Sequence, residues 1–267
     1  MDARPTSVHP GRPKPLHGAP LTDTTYPPLD TLKPVAPDLW IVDSGPLSGP
    51  LPLPVRMTVV KLSDGTVWLH SPTRFDAALA RAIEGIGPIR HLVAPNIAHW
   101  MFLAAWQRRF PDATTWAAPE LRQRGQVRRK IEAGELRLDR DLDEQSPEDW
   151  AGDIRQTVVP GGLGFREIAF FHTASRSLIL TDLVLNLEPQ KLPWHLRLPM
   201  RLAGATAPDG RAPLYLRVAV RLGGREASRA AGALVALAPQ RVLFAHGAWF
   251  ERDATPALRR SLRWLLR

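Results

Sequence analysis

The residues with the greatest capacity for chemistry are an acid and an imidazole, each following a short apolar strand. Asp182 closes the β-prone run 177–181, and His246 follows the run 241–245 and precedes Gly247. Folds of the α/β type gather ligand-binding and catalytic groups where buried strands end, so these side chains are candidates for one site. Taken alone, the two residues favour a plainer interpretation, in which Asp182 caps a turn and His246 is a loop residue with its hydrogen bonds satisfied.

A third segment adds another imidazole to the candidates. The apolar strand 89–94 meets Pro95, and Asn96 and His99 follow before an amphipathic helix predicted over 100–110. Phe110-Pro111 ends that helix, and a further strand is predicted over 114–117. Three candidate side chains therefore follow predicted strands in an alternating pattern of strands and helices.

This order resembles the metallo-β-lactamase-fold superfamily, in which a strand leads into an H-x-H-x-D-H motif and then a helix. The segment Ala94-Pro95-Asn96-x-x-His99, with Thr181-Asp182 and His246-Gly247, is similar to an uncharacterised branch, domain-of-unknown-function family 4336. The resemblance covers roughly residues 36–267. It implies an α+β fold, an αββα four-layer sandwich with two mixed β-sheets face to face and helices outside.

The resemblance also implies a reduced metal site. At one of the family's two metal sites, the three places of the histidine ligands hold Ala94, Asn96 and Gly162. The other metal site keeps His99, Asp182 and His246, with Ala98 in place of an aspartate. These three ligands suit one Zn, Mn or Fe ion with an open coordination position, which is enough to lower the pKa of a bound water.

Three functions are compatible with these residues. The first is a single-metal hydrolase of an ester, thioester or phosphoester, with Asp182 and Asn96 as catalytic residues and Asn96 orienting the substrate or the water. The second is an inactive pseudoenzyme, without an ion, that serves as a binding or scaffold module. The third is a peripheral binder of acidic membrane or nucleic acid. Loss of the second metal position argues against β-lactam hydrolysis, and the sequence identifies no particular small-molecule substrate.

Composition is consistent with one globular domain that needs no disulfides. The chain has 267 residues, 44% of them hydrophobic, and no cysteine. Its net charge is +9, and thirty of its 35 basic residues are arginine (35 minus five lysines). Arginine suits acidic partners, but a GC-rich bacterial genome produces the same composition, and no motif predicts a specific nucleic-acid partner.

The chain divides into a tail and a domain. Residues 1–37 hold nine of the 27 prolines and predict a disordered tail, whereas 38–267 form the domain, with 188–224 as a variable insertion or cover. Within this insertion, the apolar and basic run 196–202 is compatible with three structures: an amphipathic surface for a membrane or partner, a cover over the open end of the fold, or an ordinary helix packed on the sheet.

Neither a signal-like stretch nor a run of ~20 apolar residues is found, so we expect a cytoplasmic protein without a transmembrane segment. His172 lies beside a predicted hairpin turn and is expected to be structural.

Overall fold

The computed structural model describes residues 23–49 and 51–266, which contain thirteen strands and seven α-helices. The strands are β1 Lys33–Ala36, β2 Leu39–Ser44, β3 Val55–Lys61, β4 Val67–His70, β5 Ile89–Ala94, β6 Thr114–Ala117, β7 Arg140–Asp141, β8 Ile154–Pro160, β9 Arg166–His172, β10 Ser177–Ile179, β11 Leu185–Asn186, β12 Arg241–Leu243 and β13 His246–Gly247. The helices are α1 Ala77–Glu84, α2 Leu103–Arg109, α3 Gly125–Glu132, α4 Trp194–Ala203, α5 Leu214–Arg221, α6 Gly224–Ala236 and α7 Ala254–Leu262.

Two sheets pack face to face between layers of helices. One has the order β1-β2-β3-β4-β5-β6-β7 and the other β12-β10-β9-β8, and both combine parallel with antiparallel pairs. Successive strand residues point to opposite faces, so Trp68 packs between the sheets against Phe170 while Leu69 packs under α1–α3. Helices α5–α7 cover the outer face of the second sheet. The predicted αββα sandwich of mixed sheets is confirmed.

Local sequence signals account for several boundaries. The β3–β4 hairpin turns at Gly65, whose φ of 86° favours glycine, and Asp64 accepts hydrogen bonds from the backbone N–H and hydroxyl of Thr66. The side chain of Asp76 accepts the N–H of Leu79 and caps α1.

Some elements differ from the sequence-based predictions. The helix predicted from residue 100 begins at Leu103, because the preceding residues form a turn. The arginine-rich segment 119–137 does not form one helix: it is a 3₁₀ turn, Pro119–Gln123, followed by α3, since Arg124 between them is extended. The acidic segment 139–153 contributes the short strand β7 to the edge of the first sheet.

The N-terminal segment packs on the domain from residue 23 onward. Thr24 and Thr25 are buried, β1 pairs with β2, and Lys33 forms an ion pair with Asp43 at 2.8 Å. This part of the expected tail is therefore ordered, whereas residues 1–22 of that tail lie outside the described residues. Within the described ranges, every helix falls short of the length and apolar character required to cross a bilayer.

Candidate metal centre

Strand register brings the acid and one imidazole to the same edge of the second sheet. Strands β10 and β12 are parallel, with Ile179 opposite Leu243, and Asp182 and His246 each come three residues later. The short parallel pair β11–β13 then places Leu185 opposite His246. Gly247 follows with a φ of 99°, and a Cβ there would lie 2.3 Å from the carbonyl oxygen of Asn186, so only glycine allows this approach.

His99 reaches this edge from the first sheet. It follows β5 by five residues, in a turn whose shape is set by Asn96. The side-chain oxygen of Asn96 accepts the N–H of Ala98 at 2.8 Å and that of His99 at 3.1 Å. The turn thereby directs the His99 ring toward Asp182.

The three side chains converge on one point. The Nε2 atom of His99 lies 3.3 Å from one Asp182 oxygen, and the Nε2 atom of His246 lies 3.3 Å from the other. One ligand atom from each residue lies within 4.8 Å of the others. This spacing could accommodate a metal ion bound by two imidazoles and a carboxylate.

Each imidazole is held through its other nitrogen. Nδ1 of His246 donates to the carbonyl oxygen of Pro54 at 2.7 Å, so in the neutral ring the lone pair is on Nε2, facing Asp182. Nδ1 of His99 is hydrogen-bonded to the hydroxyl of Ser71 at 2.6 Å, and Ser71 has a left-handed φ of 54°. Such contacts fix ring orientation in metal sites.

Asn96 is completely buried beside the three residues. Its amide nitrogen donates to Thr181 at 2.9 Å and to Asp182 at 2.8 Å, while its oxygen holds the turn that carries His99. The geometry therefore supports a positioning role for Asn96, and the contact with substrate or water expected from the sequence stays a prediction.

Buried Glu167 and partly buried Asp182, two carboxyl groups at this edge, differ in charge preference. Burial would raise the pKa of Asp182, but the His99 charge, and hydrogen bonds from His246 and His99 when their Nε2 atoms carry a proton, hold the pKa of Asp182 well below its usual range. Glu167 lies behind it and accepts the backbone N–H groups of Thr181, Asp182 and Leu183. Burial, with a further contribution from Asp182, raises the pKa of Glu167 to about 7. Glu167 thus anchors the turn that presents Asp182.

A buried arginine anchors the turn that presents His246. Arg56 on β3 donates to the carbonyl oxygens of Phe244 at 3.0 Å and Gly247 at 2.8 Å, and it pairs with Asp43 at 2.6 Å. Neither Arg56 nor Glu167 was predicted from the sequence as a functional residue. Each is a charged residue inside an otherwise apolar strand, a pattern that indicates a buried partner.

A small cavity opens over the three residues. Its volume is about 180 Å³, and its walls are mainly apolar, with the Tyr215 side chain on one side. The apolar walls are Leu47, Leu53, Val55, Pro72, Ala98, Met101 and Phe102. Leu47 and Leu53 lie between β2 and β3 in the sequence.

Comparison with known proteins identifies the family. The family model described as "Domain of unknown function (DUF4336)" matches residues 38–211. The chain belongs to this family. No curated protein matches the sequence.

Solved structures share the fold of this DUF4336 protein at low sequence identity. A metallo-β-lactamase from Pontibacter korlensis aligns over 88% of this chain and 98% of its own, with a TM-score of 0.59 and 13% identity. One from Hirschia baltica aligns over 89% and 98%, with a TM-score of 0.59 and 14% identity. The mono-zinc form of FIM-1 from Pseudomonas aeruginosa aligns over 93% and 99%, with a TM-score of 0.57 and 16% identity. At these identities the likeness establishes a metallo-β-lactamase fold.

The positions that the resemblance assigns to a second metal make other contacts in the DUF4336 chain. Ala94 packs in the core beneath α1–α3. Gly162 is not among the residues that line the cavity, and a Cβ there would lie 2.5 Å from that of Leu222. Its N–H donates to Ala219 on α5 at 2.7 Å. Helix α5 thus closes over the place that the resemblance assigns to a ligand imidazole.

His172 lies at the β9–β10 turn, as the sequence suggested. It is buried, and its Nδ1 atom is hydrogen-bonded to the hydroxyl of Ser175 at 2.7 Å. Glu167, near the start of the same strand, marks the end that faces Asp182. His172 is therefore a structural residue distant from the candidate site.

Proposed function

We propose that this protein is a hydrolase that uses one metal ion, of the Zn, Mn or Fe class, to cleave a small ester, thioester or phosphoester. The observation that carries the proposal is the convergence of His99, Asp182 and His246 within 4.8 Å at the base of a cavity. FIM-1, one of the proteins with this fold, is described in a mono-zinc form, so a single ion is compatible with the architecture.

The donor set suits such an ion. Two imidazoles and one carboxylate favour intermediate metals over Ca²⁺ and Mg²⁺, which prefer oxygen ligands. The Nε2 atoms of both rings face Asp182, while the Nδ1 atoms are occupied by Ser71 and by the carbonyl oxygen of Pro54. When bound, the ion would polarise the substrate's carbonyl or phosphoryl oxygen and lower the pKa of a water molecule.

The chain's own residues orient the reaction site. Asn96 fixes one oxygen of Asp182, and Glu167 fixes the backbone of the same turn. Apolar cavity walls exclude bulk water, which strengthens electrostatic interactions inside the cavity. A cavity of about 180 Å³ accommodates a small acyl or phosphoryl group, with the rest of a larger substrate extending outward past Tyr215.

The first prediction concerns metal uptake. Protein purified without an affinity tag should bind one equivalent of Zn²⁺ in equilibrium dialysis at neutral pH. Asp182→Ala should abolish this uptake while leaving the circular dichroism spectrum unchanged, because the mutation removes the ligand between the two imidazoles. His172→Ala, which removes a buried imidazole away from the site, should retain uptake.

Activity should depend on the same residues. A panel of ester, thioester and phosphoester substrates should be cleaved by the Zn²⁺-loaded protein and not by the Asp182→Ala variant. Uptake should weaken on acidification, since the imidazole and carboxylate ligands must be unprotonated to bind the ion. Failure to bind Zn²⁺, Mn²⁺ or Fe²⁺ would refute the hydrolase proposal and favour a binding module.

A further inference from the structure

Helices α4 and α5 each present an apolar stripe to solvent. On α4 the stripe is Trp194, Leu198 and Leu202, which are 80%, 64% and 77% exposed. On α5 it is Leu214, Val218 and Leu222, which are 60%, 48% and 60% exposed. Residues four apart lie on the same side of a helix, so each set forms a continuous stripe about two turns long.

Core packing does not account for these stripes. Helix α5 already buries Leu216, Ala219 and Val220 on its opposite side, so it is apolar on two faces. Helix α4 has no buried residue at all. Of the three alternatives for run 196–202, an ordinary helix packed on the sheet is therefore not observed.

Arginines accompany both stripes in the same positions. Arg197 and Arg201 directly precede Leu198 and Leu202, and Arg217 and Arg221 directly precede Val218 and Leu222. A guanidinium beside an apolar stripe can extend to the polar zone of an interface while its methylene stem covers apolar surface. Arg197 and Arg201 on α4 are exposed. On α5, Arg217 donates to the carbonyl oxygen of Ala203 and Arg221 to that of Trp264, so the α4 arginines are the ones best placed to reach an interface.

The surrounding segment is strongly basic. Residues 189–225 contain seven lysines and arginines and a single acid, Asp209. Asp209 is itself paired with Arg260 at 2.7 Å. The surface therefore favours an anionic partner, and a second copy of this chain placed face to face would oppose arginine to arginine.

Both helices belong to one surface next to the cavity. Arg217 on α5 donates to the carbonyl oxygen of Ala203 at the end of α4 at 3.0 Å. Tyr215, adjacent to Leu214, is exposed and also lines the cavity.

We infer that the α4–α5 surface docks this protein on an anionic phospholipid membrane. The apolar stripes would insert at the level of the headgroups, and the exposed Arg197 and Arg201 of α4 would bind lipid phosphates. Trp194 and Tyr215 are residue types that favour this boundary. The inference stands independently of the hydrolase proposal, because it uses none of the candidate metal ligands.

The absence of cysteine allows a single reporter to test docking. Leu202→Cys, labelled with the environment-sensitive fluorophore NBD, would be mixed with phosphatidylcholine vesicles, with and without phosphatidylglycerol. We expect a blue shift and increased emission with the phosphatidylglycerol vesicles. The same label at Arg128→Cys, on α3 in the opposite helical layer, should not respond.

Paired variants separate specific docking from general charge attraction. In vesicle sedimentation, Leu198→Ser/Leu202→Ser and Arg197→Ser/Arg201→Ser should each weaken binding by about tenfold or more. Arg128→Ser/Arg129→Ser removes the same charge from exposed α3 positions and should retain binding within about twofold. All variants should keep Zn²⁺ uptake like that of the parent.

Three outcomes would overturn the inference. The first is no binding to phosphatidylglycerol vesicles. The second is equal weakening by the α3 variant. The third is a blue shift of the label at position 202 that depends on protein concentration without lipid, which would identify a second copy as the occupant.

Discussion

His70 is buried behind the candidate metal ligands, and its Nε2 atom has no hydrogen-bond partner. Its ring stacks on Trp68 and meets the edge of Phe170. Burial, and secondarily nearby His99, lower the pKa of His70 to about 3. The folded protein therefore holds this imidazole neutral at a pH where the unfolded chain protonates it.

This difference predicts acid sensitivity in the metal-free protein. The unfolded chain binds the additional proton below pH ~6.5, so stability should fall as pH decreases from there toward about 3. His70→Leu should lessen the loss between pH 7 and pH 4 by up to about 3 kcal/mol. Urea denaturation at each pH measures the effect.

A second substitution separates titration from packing. His70→Phe alters the packing differently from leucine but also removes the titrating group, so it should reduce the acid sensitivity to the same extent. If both variants lose stability in parallel with the parent between pH 7 and pH 4, His70 is not the responsible group.

At the scale of elements, β3 and the β12–β13 turn are joined through the buried Arg56–Asp43 pair. Arg56→Met should lower the free energy of unfolding by about 3–5 kcal/mol, because it leaves Asp43 without a main partner. It should also weaken Zn²⁺ binding by about tenfold, since the carbonyl groups on either side of His246 lose their donor. Urea denaturation and metal titration measure the two effects.

An exposed ion pair provides the matched control. Arg109 pairs with Glu84 at 3.1 Å on the surface, so Arg109→Met should cost less than about 1 kcal/mol and leave metal binding unchanged. Equal costs for the two substitutions would contradict the anchoring role of Arg56.

Much of the element order could be predicted from the sequence. Strands such as 89–94 and 114–117 are apolar runs bounded by breakers, which are local signals, and both match the observed limits. Asp182 and His246 come together because β10 and β12 pair in parallel, which local sequence signals do not show. The family resemblance was the basis for placing both residues in one site. Arg56 and Glu167 were missed because their partners are more than ten residues away in sequence and come from other elements.

At the scale of the whole molecule, the N-terminal segment extends the domain beyond the region matched by the family model. The centroid of the Tyr26 ring lies 5.4 Å from the Arg56 guanidinium carbon and 4.8 Å from the Lys191 ammonium nitrogen. Lys33 forms a second ion pair with Asp43, in addition to that of Arg56, and β1 pairs with the edge of β2. This segment therefore supports the same buried pair that anchors the His246 turn.

Removing the N-terminal segment should lower the stability of the domain. A chain beginning at Asp38 should lose about 2 kcal/mol or more of unfolding free energy relative to a chain beginning at Asp23, which keeps every contact described above. Urea denaturation of the two chains provides the comparison. Equal midpoints and slopes would show that the segment only rests on the surface.

The contact between Gly162 and Leu222 limits which residues position 162 can accept. A histidine at 162 would bring its Cβ to 2.5 Å from the Cβ of Leu222, and alanine at 222 would keep that atom in place. A side chain at 162 therefore requires that α5 shift or that residue 222 become glycine. Engineering a second metal position into this protein would have to begin with the backbone of α5 and not with the ligand itself.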